Sequence, residues 1–159
     1  MRKLAASSHV QLVVMHSLTI PASRNTFLPT NSDPTDLILA WGEKRIKELS
    51  ELGIHSDRII FDPGIGFGKT VEQTWEILRN IDKLQTLGVR VLLGHSRKSF
   101  LSTLTHRHFS ERDIETVALS LDMAGKGVNY LRVHNPDSNL RALKVWSQIN
   151  GVTQYFNSN

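Results

Sequence analysis

The sequence of 159 residues contains no cysteine. This excludes a disulfide scaffold, a cysteine-ligated zinc or iron–sulfur site and a cysteine nucleophile. No apolar run approaches the roughly 20 residues that a membrane-spanning helix needs. The start of the chain is basic, but the apolar run at residues 10–15 is too short for the core of a secretory signal. We therefore expect a cytoplasmic protein with no membrane partner.

Signals for nucleic acid and for a protein-held metal are also missing. The net charge is +4, yet the basic residues are scattered and form no block of five or six, so we expect no nucleic-acid partner. No HExxH motif occurs, and His106 and His108 lie in a polar stretch. We assign no residue of this sequence as a metal ligand.

Four short aliphatic runs alternate with segments of helical periodicity, and the length suits one domain over residues 1–159. The runs are residues 10–15, 58–61, 89–93 and 129–133. Near-continuous apolar strands separated by helices predict an α/β fold whose parallel sheet is covered on both faces. Four consecutive βα units correspond to half of a (β/α)₈ barrel, or alternatively to a small open sheet.

Helix starts are marked by capping residues followed by apolar stripes. The start signals are Asp33 with Pro34, Thr70 with Gln73, Ser110 with Asp113, and Asn135 with Pro136, while Gly53 closes the first helix. We expect the stripes at three- and four-residue steps to face the core. They are Leu39, Ile46 and Leu49; Val71, Trp75 and Leu78; Ile114, Val117, Leu121 and Ala124; and Ala142, Val145, Trp146 and Ile149.

Polar residues follow each strand, and the carboxyl ends of parallel strands share one edge of the sheet, where ligands bind. Asp62 follows the second run and could accept N–H donors of a heterocycle or cap a turn. The glycine-rich loop after it has Pro63 where a Walker A loop needs glycine, and Lys69 where the dinucleotide fingerprint has its third glycine. The loop is either a tight turn or a platform for a planar ligand, with Phe67 for apolar contact.

Anion-binding residue types follow the last two strands. Ser96 and Lys98 begin a predicted short helix, and helix N-termini attract anions. Arg132 and His134 alternate on the last predicted strand, so both should point the same way. Together these residues suggest two anionic groups on the substrates.

Three motifs, at residues 62–69, 94–99 and 132–134, together resemble dihydropteroate synthase. The resemblance covers essentially the whole chain and implies strands five to eight of a pterin-binding barrel. It implies an enzyme, a transferase that condenses p-aminobenzoate with 6-hydroxymethyl-7,8-dihydropterin pyrophosphate in folate biosynthesis and releases pyrophosphate. Sulfonamide competition is implied in the same way. The Ser96–Lys98 segment favours the synthase over a pterin-binding methyltransferase domain.

The resemblance also implies a role for each matching residue. Catalytic roles fall to three residues: Lys98, Arg132 and His134. Asp62 would bind the pterin edge, Lys98 would contact the pterin, and Met15 and Gly94 would pack near its ring. Arg132 and His134 would hold the departing pyrophosphate. Ser96 would bind the p-aminobenzoate carboxylate, with Phe67 against the ring. Magnesium would be held through the pyrophosphate and through residues outside this sequence.

The family strands before the fifth have no counterpart here, and residues 1–8 resemble the end of a preceding helix. A half barrel has open sheet edges, so we expect the chain to form a homodimer or to pair with an N-terminal half-barrel fragment. A non-catalytic truncated remnant is the alternative to an active enzyme. The connection at residues 17–32 is long and is either a lid over the site or disordered.

Overall fold

The computed structural model of the chain describes residues 7–23 and 25–152. Four strands form a parallel sheet in the order β1-β2-β3-β4, and a helix follows each strand. This is the predicted α/β fold, four βα units that correspond to half of a (β/α)₈ barrel. The strands are β1 (Leu12–Met15), β2 (Ile59–Asp62), β3 (Arg90–Leu93) and β4 (Tyr130–Leu131), and the helices are α1 (Pro34–Ser50), α2 (Val71–Arg79), α3 (Ser99–Thr105), α4 (Asp113–Gly125) and α5 (Pro136–Asn150).

Short 3₁₀ turns at Ser56–Arg58, Ile81–Leu87 and Phe109–Glu111 complete the connections. In the described ranges, no helix combines the length and the apolar character that crossing a membrane requires. The expected helix end at residues 1–8 falls largely on residues 1–6, which lie outside the described residues.

One face of the sheet carries the main core. Val14, Phe61 and Val91 lie side by side in the register of the first three strands and belong to one buried cluster. Side chains alternate along a strand, so Val13 and its partner Ile60 face the other way. Val13 is 45% exposed. The expectation of a sheet covered on both faces is therefore wrong at this edge of the described sheet.

Three of the four predicted helix starts are correct. The Asp33 carboxylate accepts from the Thr35 and Asp36 amides, Thr70 and Gln73 form a reciprocal capping box, and the Asn135 side chain accepts from the Ser138 amide. These caps satisfy amides that have no partner inside the helix. The Ser110–Asp113 box does not form, since Ser110 bonds to His108 and α4 begins after a 3₁₀ turn.

The apolar stripes of α4 and α5 do not all face the core. Leu49, Leu78 and Ala124 are buried as predicted, but Ile114, Val145 and Ile149 are 62–82% exposed. The buried residues of α4 and α5 include polar ones, and Ser120 Oγ donates to Asn139 Oδ1 over 2.6 Å between the two helices. Hydrophobic periodicity cannot detect a contact between helices that is made by polar side chains, so the predicted core-facing stripes of α4 and α5 are partly wrong.

The connection between β1 and α1 packs onto the glycine-rich loop (residues 63–69). The Leu28 amide donates to the Gly68 carbonyl over 3.0 Å. Gln73 Nε2 donates to the Leu28 carbonyl over 2.9 Å, and Leu28 is only 5% exposed. These contacts place Leu28 of the connection against the glycine-rich loop, next to the site.

Candidate functional site

Asp62 lies at the centre of the mouth formed by the strand ends. It ends β2, pairs in register with Met15, and is 1% exposed. Its Oδ1 accepts from the Gly64 amide over 2.8 Å, and its Oδ2 accepts from the Arg132 guanidinium over 3.1 Å. A carboxylate offers about four lone-pair directions, so acceptor capacity remains for a ligand.

Arg132 reaches Asp62 because residue 94 has no side chain. A Cβ at Gly94 would lie 2.6 Å from one terminal nitrogen of Arg132. The guanidinium therefore lies across the end of β3, and its side chain stays 56% exposed at the mouth. Gly94 lies against Arg132, and its expected place near a ligand ring remains a prediction.

The last strand is shorter than predicted, ending at Leu131. Arg132 and His134 thus lie beyond it, and the prediction that they alternate on a strand is wrong. They are held separately: Arg132 by Asp62, and His134 by Ser96. Both nevertheless lie at the same mouth, as the order of the strands predicts.

Ser96 is 5% exposed, and its hydroxyl is occupied by His134. The His134 amide donates to Ser96 Oγ over 3.1 Å, and the Nδ1 of the same ring lies 2.9 Å from that oxygen. This contact fixes the imidazole and leaves Nε2 as the ring nitrogen for a ligand. Ser96 thus contacts His134 directly, and it acts on a ligand only through this ring.

Lys98 and Phe67 meet at the edge of an open cleft of about 940 Å³. The Lys98 ammonium donates to the Ile65 carbonyl and lies 4.8 Å from the centre of the Phe67 ring. Burial lowers the pKa of Lys98 to about 8, while nearby Asp62 raises it and Arg132 lowers it. The cleft is also lined by Ser99, which follows Lys98, and by Phe27.

The segment that carries Lys98 is held by ion pairing. Arg97 has a φ of 57° and forms a two-point contact with Asp113, Nε to Oδ1 at 2.7 Å and a terminal nitrogen to Oδ2 at 2.9 Å. Arg97 holds the pKa of Asp113 at about 2. Asn135 donates to the same carboxylate over 3.1 Å. Asp113, which sequence reasoning treated only as a cap, therefore joins the segments that follow β3 and β4.

His95 is fully buried and neutral. Its Nε2 lies 3.1 Å from the Thr116 carbonyl, which can only accept, so Nε2 carries the proton. Ser120 Oγ lies 3.0 Å from the same nitrogen. Burial lowers the pKa of His95 to about 4. His95 thus fastens the end of β3 to α4 rather than facing a ligand.

Sequence reasoning missed the pair formed by His16 and Lys69. The Lys69 ammonium lies 2.8 Å from His16 Nδ1, and both residues are at least 95% buried. Burial lowers the pKa of Lys69 to about 7 and that of His16 to about 4. Lys69 ends the motif at residues 62–69 and His16 directly follows the first aliphatic run, but nothing in the sequence shows that they touch.

Metal-ligating residues do not gather at this mouth. Within residues 7–23 and 25–152, no group of three or more His, Cys, Asp or Glu side chains could hold a metal ion. The positive charges of Lys98 and Arg132 lie beside the single carboxylate of Asp62 instead. The arrangement is suited to an anionic ligand that also offers N–H donors.

Comparison with known proteins gives the family. A family model described as pterin binding enzyme matches residues 1–134. The chain belongs to the pterin binding enzyme family. The match contains Asp62, Lys98, Arg132 and His134, which lie together at the mouth.

The relatives are enzymes of folate synthesis. The chain is 42% identical over 151 residues to a folate synthesis bifunctional protein of Chlamydia caviae, covering 94% of this chain and 34% of that protein. It is 33% identical over 151 residues to a dihydropteroate synthase of Streptococcus pyogenes, covering 94% of this chain and 54% of that enzyme. The chain thus spans between a third and about half of the length of these relatives.

Solved dihydropteroate synthases share the fold. The enzyme of Anaplasma phagocytophilum with bound 6-hydroxymethylpterin-monophosphate is 36% identical, with a TM-score of 0.86 over 94% of this chain and 59% of that one. The enzyme of Xanthomonas albilineans with 4-aminobenzoic acid is 31% identical, with a TM-score of 0.86 over 96% and 56% of the two chains. The pterin-binding half barrel of this family is therefore the fold of this chain.

Proposed function

We propose that this chain forms part of a dihydropteroate synthase site, which condenses p-aminobenzoate with 6-hydroxymethyl-7,8-dihydropterin pyrophosphate. The observation that carries the proposal is one buried carboxylate, Asp62, surrounded by cations beside an open cleft with an aromatic wall. The relatives named above bind a hydroxymethylpterin phosphate and 4-aminobenzoic acid. The mouth offers matching chemistry for both.

The pterin half of the proposal rests on Asp62. Its two remaining acceptor directions suit the adjacent N–H donors of a pterin edge, which a carboxylate can bind at two points. Met15, at the end of β1, lies beside this carboxylate in register. Lys98, between Asp62 and Phe67, contacts the pterin from the side of the cleft.

The pyrophosphate half rests on Arg132 and His134. Arg132 is 56% exposed and can exchange part of its contact with Asp62 for phosphate oxygens, which suit its planar fork. His134 Nε2 offers a further hydrogen bond, because Ser96 holds the other ring nitrogen. These groups stabilise the charge that develops on the leaving group.

The arylamine enters by the cleft. The predicted carboxylate ligand, Ser96, is buried against His134, so we assign the p-aminobenzoate carboxylate to Ser99, which lines the cleft with Lys98 and Phe67. Phe67 then lies along the aromatic ring. A sulfonamide competes for the same place.

The reaction needs positioning more than proton transfer. The arylamine nitrogen attacks the pterin methylene carbon, the carbon–oxygen bond to pyrophosphate breaks with its electron pair on oxygen, and the amine proton passes to water. Holding the two substrates in line supplies much of the rate. The described residues offer no ligand set for magnesium, so magnesium held through the pyrophosphate stays a prediction and no step is assigned to it.

Pyrophosphate release tests the proposal. The purified chain is supplied with both substrates, and Lys98→Ala is compared with Lys144→Ala, an exposed lysine on α5. Turnover that Lys98→Ala abolishes and Lys144→Ala retains supports the synthase. An absence of turnover and of pterin binding favours the alternative, a non-catalytic remnant.

A partner is also part of the proposal. Both end strands of the described sheet lack a neighbour on one side, and Val13 on the end strand is exposed. We expect a second copy of this chain, or an N-terminal half barrel, to cover this surface. Light scattering after size-exclusion chromatography should give a mass above the monomer, reduced by Val13→Lys but not by Ile20→Lys in an exposed loop. A stable, monodisperse monomer contradicts this expectation.

A further inference from the structure

Lys69 is a buried lysine to which the proposed reaction assigns no role. The residue is 5% exposed, although lysine is among the residues least often buried. Its ammonium contacts three uncharged acceptors: His16 Nδ1 at 2.8 Å, the Phe67 carbonyl at 2.9 Å and the His16 carbonyl at 3.5 Å. A methionine would fill this space without the cost of desolvating a charge. The contribution that distinguishes lysine here is therefore its hydrogen bonds to His16 and Phe67.

These contacts join the end of β1 to the glycine-rich loop. His16 follows β1, and its amide donates to the Asp62 carbonyl over 2.9 Å. A Cβ at Gly64 would lie only 1.9 Å from the His16 carbonyl oxygen, and Gly64 has a φ of 65°. The glycine-rich loop thus passes directly beside His16, and Lys69 fastens the two together.

Lys69 and Lys98 hold the same loop from two directions. Lys98 donates to the Ile65 carbonyl and Lys69 to the Phe67 carbonyl, two residues further along. Phe67 lies between these lysines in the site: its carbonyl is bound by one, and its ring is 4.8 Å from the ammonium of the other. The placement of this ring therefore depends on both contacts.

We propose that Lys69 is a positioning residue, which fixes Phe67 against the arylamine by tying the glycine-rich loop to the end of β1. This inference rests on the proposed function, because it concerns the arylamine side of that site. It assigns Lys69 an effect on arylamine binding and not on pterin binding. Asp62 is anchored separately, by the Gly64 amide and by Arg132.

The first arm of the test needs no ligand. Hydrogen exchange is measured on the wild-type chain, on Lys69→Met and on the control Lys144→Met. The Phe67 amide, which donates to the Gly64 carbonyl over 3.0 Å, should exchange at least about tenfold faster in Lys69→Met, while the amide of Leu101 in α3 should not change. Unchanged protection of Phe67 overturns the inference.

The second arm measures affinity for two probes, 4-aminobenzoate and 6-hydroxymethylpterin monophosphate. Lys69→Met should weaken the first about tenfold and change the second by less than about twofold. Equal weakening of both, or of neither, overturns the inference. A wild-type chain that binds neither probe contradicts the proposed function instead, and the exchange arm then decides the role of Lys69.

Should Lys69→Met fail to fold, as judged by its melting curve, Lys69→Gln replaces it in both arms. Glutamine keeps an N–H donor but is shorter and uncharged, so the Phe67 amide should still exchange faster than in the wild type. A glutamine variant with the same Phe67 protection as the wild type would show that the ammonium is not needed to position Phe67, which overturns the inference.

Discussion

At the scale of single residues, Gly94 controls the charge pattern of the site. The absent Cβ is what lets the guanidinium of Arg132 lie across the end of β3 and reach Asp62. The atoms that an alanine would meet belong to the far end of a flexible side chain, not to the backbone. The residue therefore affects where a charge lies more than it affects the fold.

The change Gly94→Ala should displace Arg132 from Asp62 and weaken the binding of inorganic pyrophosphate about tenfold, which matches the loss of one charge-assisted hydrogen bond. Stability should fall by about 1–2 kcal/mol, because the Asp62 carboxylate, which is 1% exposed, loses a charge-assisted partner. Calorimetric titration with pyrophosphate and a urea unfolding curve measure the two effects.

A double-mutant cycle provides the control. In the Arg132→Ala background, Gly94→Ala has no guanidinium to displace, so its effect on pyrophosphate affinity should disappear. An effect of the same size in both backgrounds would show that Gly94 acts through the backbone of the segment instead.

At the scale of elements, the start of α4 is tied to the segments after β3 and β4 by one carboxylate. Asp113 binds Arg97 at two points and also accepts from Asn135. The side chains of Asp113 and Arg97 are 29% and 26% exposed. The pair is therefore only partly screened by solvent, unlike most ion pairs on this surface.

Replacing Asp113 by alanine should lower the free energy of unfolding by about 1–2 kcal/mol, since two charge-assisted contacts and the Asn135 contact are lost together. Asp137→Ala is the matched control: it also removes a carboxylate from the first turn of a helix, but its pair with Arg141 is 77–78% exposed. Urea unfolding should distinguish the two variants. Equal midpoints would contradict a special role for Asp113.

The same elements show what the sequence can and cannot predict. Caps such as Thr70 with Gln73 are local, so their spacing predicted helix starts correctly. The residues of the mouth followed from strand order alone, because parallel strands end at one edge. The roles of Met15, Asp62, Phe67, Gly94, Lys98, Arg132 and His134 toward substrates remain predictions.

Errors arose where a distant contact outweighed a local pattern. Ile149 fits an apolar stripe but is 78% exposed, whereas the polar residues Ser120 and Asn139 form a buried contact between α4 and α5. The contact of Lys69 with His16 joins residues 53 positions apart, and no spacing in the sequence encodes it. Such pairs require the fold to be known first.

At the scale of the whole molecule, the buried basic groups set how stability depends on pH. Burial lowers the pKa of His16 and of His95 to about 4, from an ordinary value of 6.5. The unfolded chain therefore binds more protons than the folded chain between those values, and stability rises with pH there. Lys69 and Lys98, lowered from 10.5 to about 7 and about 8, act in the same direction at higher pH.

We expect the free energy of unfolding to fall as the pH drops from 6.5 to 4, with each buried histidine contributing up to about 1.4 kcal/mol per pH unit. It should rise again as the pH increases from about 7 toward 10, because the two lysines stay neutral more readily when folded. Urea unfolding at half-unit pH intervals measures the profile. His95→Leu should reduce the slope between pH 4 and 6.5 and leave the slope above pH 7 intact. Lys69→Met should reduce the slope above pH 7 and also part of the slope below pH 6.5, because the charge of Lys69 helps burial to lower the pKa of His16. Profiles parallel to the wild type in both variants would contradict the assignment, since an unshifted group contributes no slope to the stability of the chain.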